Sequence, residues 1–382
     1  MNRETKASVA AAECVVLGPF PPPITGAAMN TQKVLEALRM NGVHVTPIST
    51  AVSLKRENSG LSYHFKRVGR IFGVVSELIG ASNRRAVLYI VPDAGLGTWY
   101  TVLYAALGML AFWKVIFHHH SFRYITRPSL AMRLLVGLTR SKALHVFLSE
   151  SMARGFVSRF GALETIVAGN ASFVGGSLAD MEAAAPRRDG TITIGHLSNL
   201  RRNKGFFAAA ETFERLADDG LPVRLHLAGP ITEKEVEPRL HALQEKYGDR
   251  VYWAGLVSGD AKTAFYRSLD VFLFATTHPQ EAQPNVVYEA LAAGIPVLAT
   301  PRACIPEMLP GDSGGCSPTE DGFVDFAART IHAMSFEIAE TDRRRRVILT
   351  QLKQDVVRSQ QEYQSLLRIL GVRAEPLNLP WL

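Results

Sequence analysis

The sequence predicts an α/β fold of two doubly wound domains, and two observations carry this prediction. Short β-branched runs alternate with helix-length amphipathic segments, which is typical of βα units that build parallel sheets. The alternation stops at a polar Ala/Pro/Arg stretch, residues 178–190, and then restarts. We therefore predict a hinge there, an N-terminal domain over residues 1–180 and a C-terminal domain over 190–340. A terminal helix within 341–382 is predicted to pack back toward the N-terminal domain.

Each predicted strand is a short apolar run between helical patterns. In the first domain the strands are Cys14–Leu17, Val43–Ile48, Ala86–Val91, Val115–His118, Ala143–Leu148 and Thr165–Val167. In the second they are Thr191–Leu197, Val223–Ala228, Val251–Trp253, Val271–Phe274 and Pro296–Ala299. The helix that closes the chain is predicted from Asp342 to Leu370. Because ligands bind beyond the carboxyl ends of parallel strands, we expect the site in a central cleft between the domains.

The composition is that of an ordinary globular protein. Hydrophobic residues make up 47% and charged residues 20% of the 382 positions, which excludes disordered, collagen-like and disulfide-rich classes. The three cysteines form no C-x-x-C pair, so a reducing compartment fits best. The first residues lack the pattern of a signal peptide. We therefore expect a cytoplasmic protein.

The positive charge is concentrated in the first half of the chain. Residues 1–180 hold 19 Lys and Arg against 9 Asp and Glu, whereas the remainder holds 23 against 26. A basic surface attracts anionic partners, although it is also compatible with a merely solvated surface. We expect an anionic membrane surface as a candidate partner, on the inner face of the membrane, and no nucleic acid.

Two apolar segments bear on a membrane. Leu61–Ile79 has an apolar helical stripe with basic neighbours, so it either lies on an anionic bilayer or packs on its own sheet with a basic outer face. The stripe comprises Phe65, Val68, Ile71, Phe72, Val75, Leu78 and Ile79, and the basic neighbours are Lys55, Arg56, Lys66, Arg67, Arg70, Arg84 and Arg85. The uncharged segment Leu96–Trp113 lies between two predicted strands, which favours a buried crossover helix over a membrane span.

The strongest motif is EAQPNVVYEALAAGIPVLAT, Glu281–Thr300, directly after a strand and a loop. Pro284 suits the first turn of a helix, where the N–H groups of Asn285 and Val286 have no helical acceptor. Glu289 follows about one turn later, where its carboxylate can accept hydrogen bonds from vicinal hydroxyls such as those of a ribose. Two surface carboxylates on a structural helix are the alternative.

This stretch resembles the E-x7-E signature of the family 4 retaining glycosyltransferases, which have the GT-B fold of two Rossmann-like domains. The positions shared with the family are Glu281, Pro284, Glu289, Ala290, Ala292, Gly294, Pro296 and Val297. The sequence departs from the family at Ala282 and Gln283, where Gly and an apolar residue are usual. The resemblance implies that Glu281 is catalytic and lies near the donor sugar, and that Glu289 binds the nucleotide ribose.

A second segment, IGHLSNLRRNKGF, places Lys204 and Gly205 at a strand-to-helix turn, where a cation and backbone N–H groups can meet a diphosphate. A solvated basic loop is the alternative. The segment resembles the family element G-R-L-x-x-x-K-G, with Lys204 as the family lysine. Asn199 occupies the family's arginine position, so Arg201 or Arg202 would supply the missing charge. The resemblance makes Lys204, Asn199 and Arg201 donor-binding residues.

The N-terminal half contributes two weaker candidates. The turn after the first strand leads into a helix near Gly26, and this resembles the family's opening loop; Gly26 is a candidate for the donor and Ala27 for the acceptor side. His118, His119 and His120 end a predicted strand, with His118 and His120 on one face and His119 on the other.

This histidine run is a poor metal site, and a packing histidine is the plain alternative. The family carries a histidine at the end of this strand. The resemblance implies that His118, or second His120, contacts the transferred sugar or the acceptor.

The resemblance implies transfer of a sugar from a nucleotide-diphosphate donor to a lipid-linked or saccharide acceptor, with retention of configuration, in polysaccharide or glycolipid biosynthesis. No D-x-D sequence occurs, so we expect no metal or other cofactor besides the nucleotide-sugar co-substrate.

Two alternatives stay open: a catalytically silent nucleotide-sugar-binding subunit that docks a partner at the membrane, and a nucleotide-sugar epimerase on the same fold. Asn199 and Gln283 favour the first of them.

Overall fold

The computed structural model describes residues 13–22, 25–51, 61–140, 142–177 and 190–372. The chain divides into two compact units, Met1–Gly169 with Gln360–Leu382, and Asn170–Ser359. The first unit thus ends earlier than the predicted boundary at residue 180, because Gln283 of the second unit accepts a hydrogen bond from the Asn170 N–H. Residues 178–189 of the predicted hinge lie outside the described residues.

The first unit contains a parallel sheet of six described strands in the order β2-β1-β3-β4-β5-β6. Its strands are β1 (Glu13–Gly18), β2 (His44–Ser49), β3 (Val87–Ile90), β4 (Lys114–His118), β5 (Ala143–Phe147) and β6 (Glu164–Val167). Its helices are α1 (Gly26–Met40), α2 (Leu61–Gly80), α3 (Thr98–Ala111), α4 (Arg123–Thr126), α5 (Leu130–Thr139) and α6 (Glu150–Phe160). The central strands β3 and β5 are buried at every position, as expected for a parallel sheet covered on both faces.

The second unit has the same architecture, with six described strands in the order β12-β11-β10-β7-β8-β9. Its strands are β7 (Ile192–Leu197), β8 (Val223–Ala228), β9 (Val251–Trp253), β10 (Val271–Phe274), β11 (Val297–Ala299) and β12 (Gly314–Cys316). Its helices are α7 (Phe206–Asp218), α8 (Val236–Tyr247), α9 (Gly259–Arg267), α10 (Asn285–Ala292), α11 (Ile305–Met308), α12 (Phe323–Ala333) and the start of α13 (Ile338–Ile369).

Strand β10 shows how the second unit builds a core on each face of its sheet. Val271 and Leu273 belong to the hydrophobic cluster that includes α7, α8 and α12. Phe272 and Phe274 belong to the opposite cluster, which includes α10, α11 and α13. The four-residue apolar run is therefore buried on both sides, because successive side chains of a strand point to opposite faces.

All eleven predicted strands are present with ends within one residue of the prediction. The short edge strand β12, Gly-Gly-Cys, lacks β-branched residues and was not predicted. The terminal helix begins at Ile338 rather than Asp342, and from Gln360 onward it belongs to the first unit. There Tyr363 is buried and packs edge-on against His118.

The segment Leu96–Trp113 forms the crossover helix α3 between β3 and β4, as predicted, but the expectation that it is buried is wrong. Its residues Tyr104, Ala105 and Gly108 are buried, whereas Leu103 and Leu110 are 42% and 73% exposed. Only one side of the helix packs on the unit. In the described residues, no helix is long and apolar enough to cross a membrane.

The predicted basic amphipathic helix is α2, and it packs on its own unit through Val74 and Leu78. Arg70 does not extend into solvent: its guanidinium donates to the Ser49 carbonyl at 2.8 and 2.5 Å and to Glu77 at 2.8 Å. Lys55, Arg56 and the side chains of residues 61–68, which include Phe65, Lys66, Arg67 and Val68, lie outside the described part of the chain.

A histidine pair lies in the core of the first unit. His119 Nε2 is 2.9 Å from His145 Nδ1, and His119 Nδ1 is 2.7 Å from the Tyr124 hydroxyl. Both rings have no exposed surface and stack with Phe147. Burial lowers the pKa of His145 to about 4. Burial also lowers the pKa of His119 well below 6.5, and repulsion from His145, His118 and His120 adds to this shift. Both histidines are therefore neutral in the folded protein at neutral pH.

We predict that this pair makes the fold acid-sensitive. Because the pKa of His145 is lower in the folded than in the unfolded state, its contribution to stability is complete above pH 6.5 and is lost as the pH falls toward 4. At about pH 5.5 the loss for this histidine is on the order of 1 kcal/mol. Urea unfolding at several pH values should show a weaker pH dependence in His145→Phe than in the wild type. His241→Phe, at an exposed position of α8, should keep the wild-type dependence; equal slopes in all three proteins would contradict the prediction.

Candidate functional site

The strand order of the second sheet reverses between β7 and β10. The chain runs from β7 outward through β8 and β9, and then returns to the other side of β7 with β10, β11 and β12. At such a reversal the loops that follow the two central strands diverge, which leaves a crevice at the carboxyl edge of the sheet. The loops after β7 and β10 carry Lys204 and Glu281, two of the predicted site residues.

Lys204 and Glu281 form an ion pair at this point. The Lys204 ammonium donates to Glu281 Oε2 at 2.6 Å, and the two side chains are 19% and 11% exposed. The Thr276 hydroxyl donates to the same carboxylate oxygen at 3.1 Å. The backbones are joined as well, since Thr277 N–H donates to the Asn203 carbonyl at 3.0 Å. An ammonium has three N–H donors, so the pair leaves Lys204 able to bind a further acceptor.

Three cations surround the neighbouring half-buried side chain of His278. Burial, together with Lys204, Arg201 and Arg302, lowers its pKa to about 4, against the opposing effect of Glu281. The Nε atoms of Arg201 and Arg302 are buried donors with no hydrogen-bond partner in the described residues. Unsatisfied buried donors are uncommon in folded proteins. Arg302 is also ion-paired with Glu320, so three cations lie beside two carboxylates. The excess positive charge and the unused Nε donors favour an anionic ligand.

The structure separates the two arginines that the sequence left as alternatives. Arg202 is exposed; its backbone N–H donates to Glu233 at 2.7 Å and its guanidinium lies 4.2 Å from the Phe207 ring centre. Arg201 is half-buried and acts on His278 together with Lys204. Asn199, at the position of the family arginine, is exposed. Arg201 is thus the arginine that accompanies the ion pair.

Glu289 lies in α10, just over one turn from its start at Asn285. Its Oε1 accepts a hydrogen bond from Lys262 at 2.5 Å, and its Oε2 accepts one from the Tyr266 hydroxyl at 2.9 Å. Tyr266 is buried, and burial together with Glu289 raises the pKa of its hydroxyl, so it remains a donor. The carboxylate is held in place but retains lone pairs for ligand hydroxyls.

The start of α10 differs slightly from the prediction. Pro284 is the N-cap residue in an extended conformation rather than part of the first turn, which begins at Asn285. Asn285 and Val286 are both half-buried. The first turn of this helix follows Glu281 directly, so its N–H groups lie at the same strand end.

Gln283, where the sequence departs from the family, has a structural role. Its Oε1 accepts a hydrogen bond from the Asn170 N–H at 2.5 Å, and its carbonyl accepts one from the Asn170 side-chain amide at 2.8 Å. This side chain therefore fixes the start of the second unit to the loop before α10. The departure from the family at Gln283 is therefore compatible with a ligand at Glu281.

Sequence reasoning missed several residues around these sites: Thr276, His278, Arg302, Lys262 and Tyr266. The sequence could have indicated three of them, since Thr276 and His278 follow the predicted strand β10 and Arg302 follows β11. Nothing local marks Lys262 and Tyr266, which reach Glu289 from α9.

The remaining candidates belong to the first unit. Gly26 is exposed and Ala27 half-buried at the start of α1, where the Thr25 hydroxyl accepts from the Ala28 N–H at 3.1 Å. His118 has no exposed surface and is hydrogen-bonded through Nδ1 to the Tyr89 hydroxyl. His120 is half-buried and its ring lies 4.2 Å from that of His118. Of these two histidines, His120 is the one that solvent reaches.

Both histidines are neutral at neutral pH. Burial lowers the pKa of His120 to about 4, and burial with repulsion from His120 lowers that of His118 well below 6.5. His119 lies on the other face, as alternation predicts. Among the described residues, no group of three or more His, Cys, Asp or Glu side chains is arranged to hold a metal ion.

Comparison with known sequences finds a family match within the second unit and two curated relatives of the chain. Residues 191–335 match the family described as glycosyl transferases group 1. Two curated relatives are the putative colanic acid biosynthesis glycosyltransferase WcaL of Escherichia coli K12, 29% identical over 157 residues, and that of Salmonella typhimurium, 31% identical over 132 residues. The matches cover 40% and 33% of this chain, and the chain spans only 37% and 32% of the relatives' length.

Similar solved structures cover nearly the whole chain. Anabaena Alr3699/HepE in complex with UDP and glucose has a TM-score of 0.61 and 15% identity, over 93% of this chain and 99% of that one. The UDP-forming α,α-trehalose-phosphate synthase of Burkholderia xenovorans has a TM-score of 0.67 and 13% identity, over 95% and 100%. These similarities confirm the predicted fold class, an α/β chain of GT-B type with two doubly wound domains.

We predict that Gly205 is required for the Lys204 turn. Gly205 has φ +98°, and a Cβ there would lie 2.8 Å from the backbone carbonyl of Ala275, in the loop after β10. Gly205→Ala should lower the free energy of unfolding by about 3 kcal/mol, since it combines backbone strain with a backbone clash. Gly220 has φ +85° but nothing within 4 Å of its Cβ position, so Gly220→Ala should cost only about 1 kcal/mol. Equal losses in denaturant unfolding would show that the contact with Ala275 does not matter.

Proposed function

We propose that this protein is a retaining glycosyltransferase of family 4 type that uses a nucleotide-diphosphate sugar as donor. The observation that carries the proposal is the cluster of Arg201, Lys204 and Arg302 where the strand order of the second unit reverses. This cluster lies within the segment that is similar to glycosyl transferases group 1. A departing diphosphate needs fixed cations and N–H donors, and this cluster supplies them. The second unit is then the donor-binding domain and the first the acceptor-binding domain.

The contacts support the proposed donor-side roles. The diphosphate binds the remaining N–H donors of Lys204, the guanidinium of Arg201, whose Nε has no partner in the described residues, and the first-turn N–H groups of Asn285 and Val286. The ribose hydroxyls donate to Glu289, whose orientation is fixed by Lys262 and Tyr266. Glu281 lies near the sugar and keeps the Lys204 ammonium in place.

In the transfer step the bond between the anomeric carbon and the diphosphate oxygen breaks, and a bond to the acceptor hydroxyl oxygen forms on the same face. The departing diphosphate accepts the hydroxyl proton. His120, which is neutral and half-buried, is the candidate for contact with the acceptor or the transferred sugar, and the buried His118 packs against its ring. Gly26 and Ala27 leave room for backbone approach. The acceptor is a lipid-linked or saccharide molecule, and the name of the curated relatives, which includes colanic acid biosynthesis, supports a role in polysaccharide biosynthesis.

No metal ion is needed in this proposal, because Arg201, Lys204 and Arg302 offer fixed positive charge and N–H donors to the leaving group. Titration calorimetry with UDP-, GDP- and ADP-sugars should therefore find one class of donor that binds equally well with and without EDTA. Loss of binding in EDTA would refute the metal-independent part of the proposal. Absence of binding for every sugar nucleotide would refute the proposal as a whole.

We predict that Lys204→Ala lowers the rate of sugar transfer by about 10²-fold or more, as expected when one preorganised donor to the leaving group is lost. Glu289→Ala should likewise abolish measurable transfer through loss of donor binding. The thermal melt of both variants should stay nearly unchanged, because Thr276 still donates to Glu281 and the half-exposed Lys262 can turn to solvent. Transfer is measured with the donor identified by calorimetry.

Lys234→Ala is the matched control, since this lysine is 91% exposed and should have wild-type activity. Unfolding of both site variants would mean that Lys204 and Glu289 are structural. Incubation with the donor alone separates the alternatives: slow hydrolysis supports the transferase, an unchanged bound donor the silent subunit, and isomerised donor the epimerase.

A further inference from the structure

The first unit exposes a continuous apolar surface on α3 and α5 and their flanking turns. We call it the α3–α5 face; its members are Leu96, Trp99, Leu103, Leu110, Trp113, Leu130, Leu134 and Leu138, each between 42% and 84% exposed. Monomeric soluble proteins rarely expose so many large apolar side chains together, and such patches mark interaction sites.

The topology places these side chains on one surface. Helix α3 joins β3 to β4 and α5 joins β4 to β5, so two right-handed crossovers in the same direction put both helices on the same face of the sheet. The two helices also pack against each other. Their buried residues, such as Ala105 in α3 and Leu135 in α5, face the unit. The exposed residues recur at three-, four- and seven-residue intervals on the opposite side of each helix.

The charge around this face is predominantly positive. Between Asp93 and Glu150 the sequence contains no Asp or Glu and six Lys or Arg. Arg127 and Arg133 are exposed, and Arg133 lies between Leu130 and Leu134 in α5. Two carboxylates on neighbouring elements, Glu77 and Glu164, are paired with Arg70 and Lys114.

This charge distribution decides which occupant fits. A second copy of the chain related by a two-fold axis would bring the same cationic face against itself, which is repulsive. An anionic bilayer offers negative head groups for the arginines and hydrocarbon for the leucines. The indoles of Trp99 and Trp113, near the two ends of α3, suit the head-group region.

We propose that the α3–α5 face docks the first unit on an anionic lipid bilayer, with its leucines and tryptophans inserted to the depth of the head groups. The surface differs from the predicted one on α2, whose Arg70 is bound to Ser49 and Glu77. The proposal is independent of the enzymatic activity, because it concerns only residues of the first unit outside the candidate sites.

Vesicle flotation tests the proposal directly. At low salt the protein should float with vesicles that contain phosphatidylglycerol and much less with pure phosphatidylcholine. The double variant Leu134→Glu/Leu138→Glu should reduce the bound fraction by at least about tenfold, since two apolar contacts are replaced by charges that the anionic surface repels. The measurement needs no sugar nucleotide, so its failure leaves the proposed function untouched.

A matched control uses exposed apolar residues elsewhere. Leu134 and Leu138 are 51% and 43% exposed, and Val357 and Ile338 of α13 are 52% and 43% exposed. Val357→Glu/Ile338→Glu should float like the wild type. Equal loss in both double variants, or no flotation of the wild type, would overturn the proposal. A dimer in size-exclusion chromatography that only Leu134→Glu/Leu138→Glu dissociates would overturn it in favour of a second copy.

Discussion

The reversal of strand order between β7 and β10 is the constraint on which the candidate site depends. All six described strands of the second sheet are parallel, so their carboxyl ends meet at one edge, and only at the reversal do neighbouring loops separate. Lys204 and Glu281, 77 positions apart in sequence, meet there through a 2.6 Å ion pair. The pair is held by the left-handed turn at Gly205 and by the hydrogen bond between Thr277 and Asn203. Without this loop geometry neither charge would be at the site.

The site carries more positive than negative charge. Arg201, Lys204 and Arg302 all act on His278, whereas the carboxylates paired with two of these cations are Glu281 and Glu320. Partly buried like charges repel and lose hydration, so the folded chain bears an electrostatic cost there. An anion at this position would relieve that cost and satisfy the unused guanidinium donors. Such a site is selective by charge before any specific hydrogen bond forms.

The sequence predicted the features that depend on neighbouring residues, and it missed those that depend on contacts between distant segments. Strands such as Val271–Phe274 are buried on both faces, so a short apolar run was enough to identify them. The roles of Gln283, Lys262 and Tyr266 arise from contacts between distant segments, which no local pattern contains. Helix α3 was recognised as a crossover, but it is apolar around its whole circumference. Its pattern therefore could not show which side faces solvent.

Four histidines of the first unit are buried or half-buried, unlike the exposed His44 of β2. His118, His119, His120 and His145 lie in or at its core, where burial lowers their pKa values and keeps them neutral at neutral pH. The charge near the α3–α5 face comes from lysine and arginine, and the arginines stay protonated at any physiological pH. An attraction to anionic lipid that rests on permanent charges responds to salt through screening, but hardly to pH.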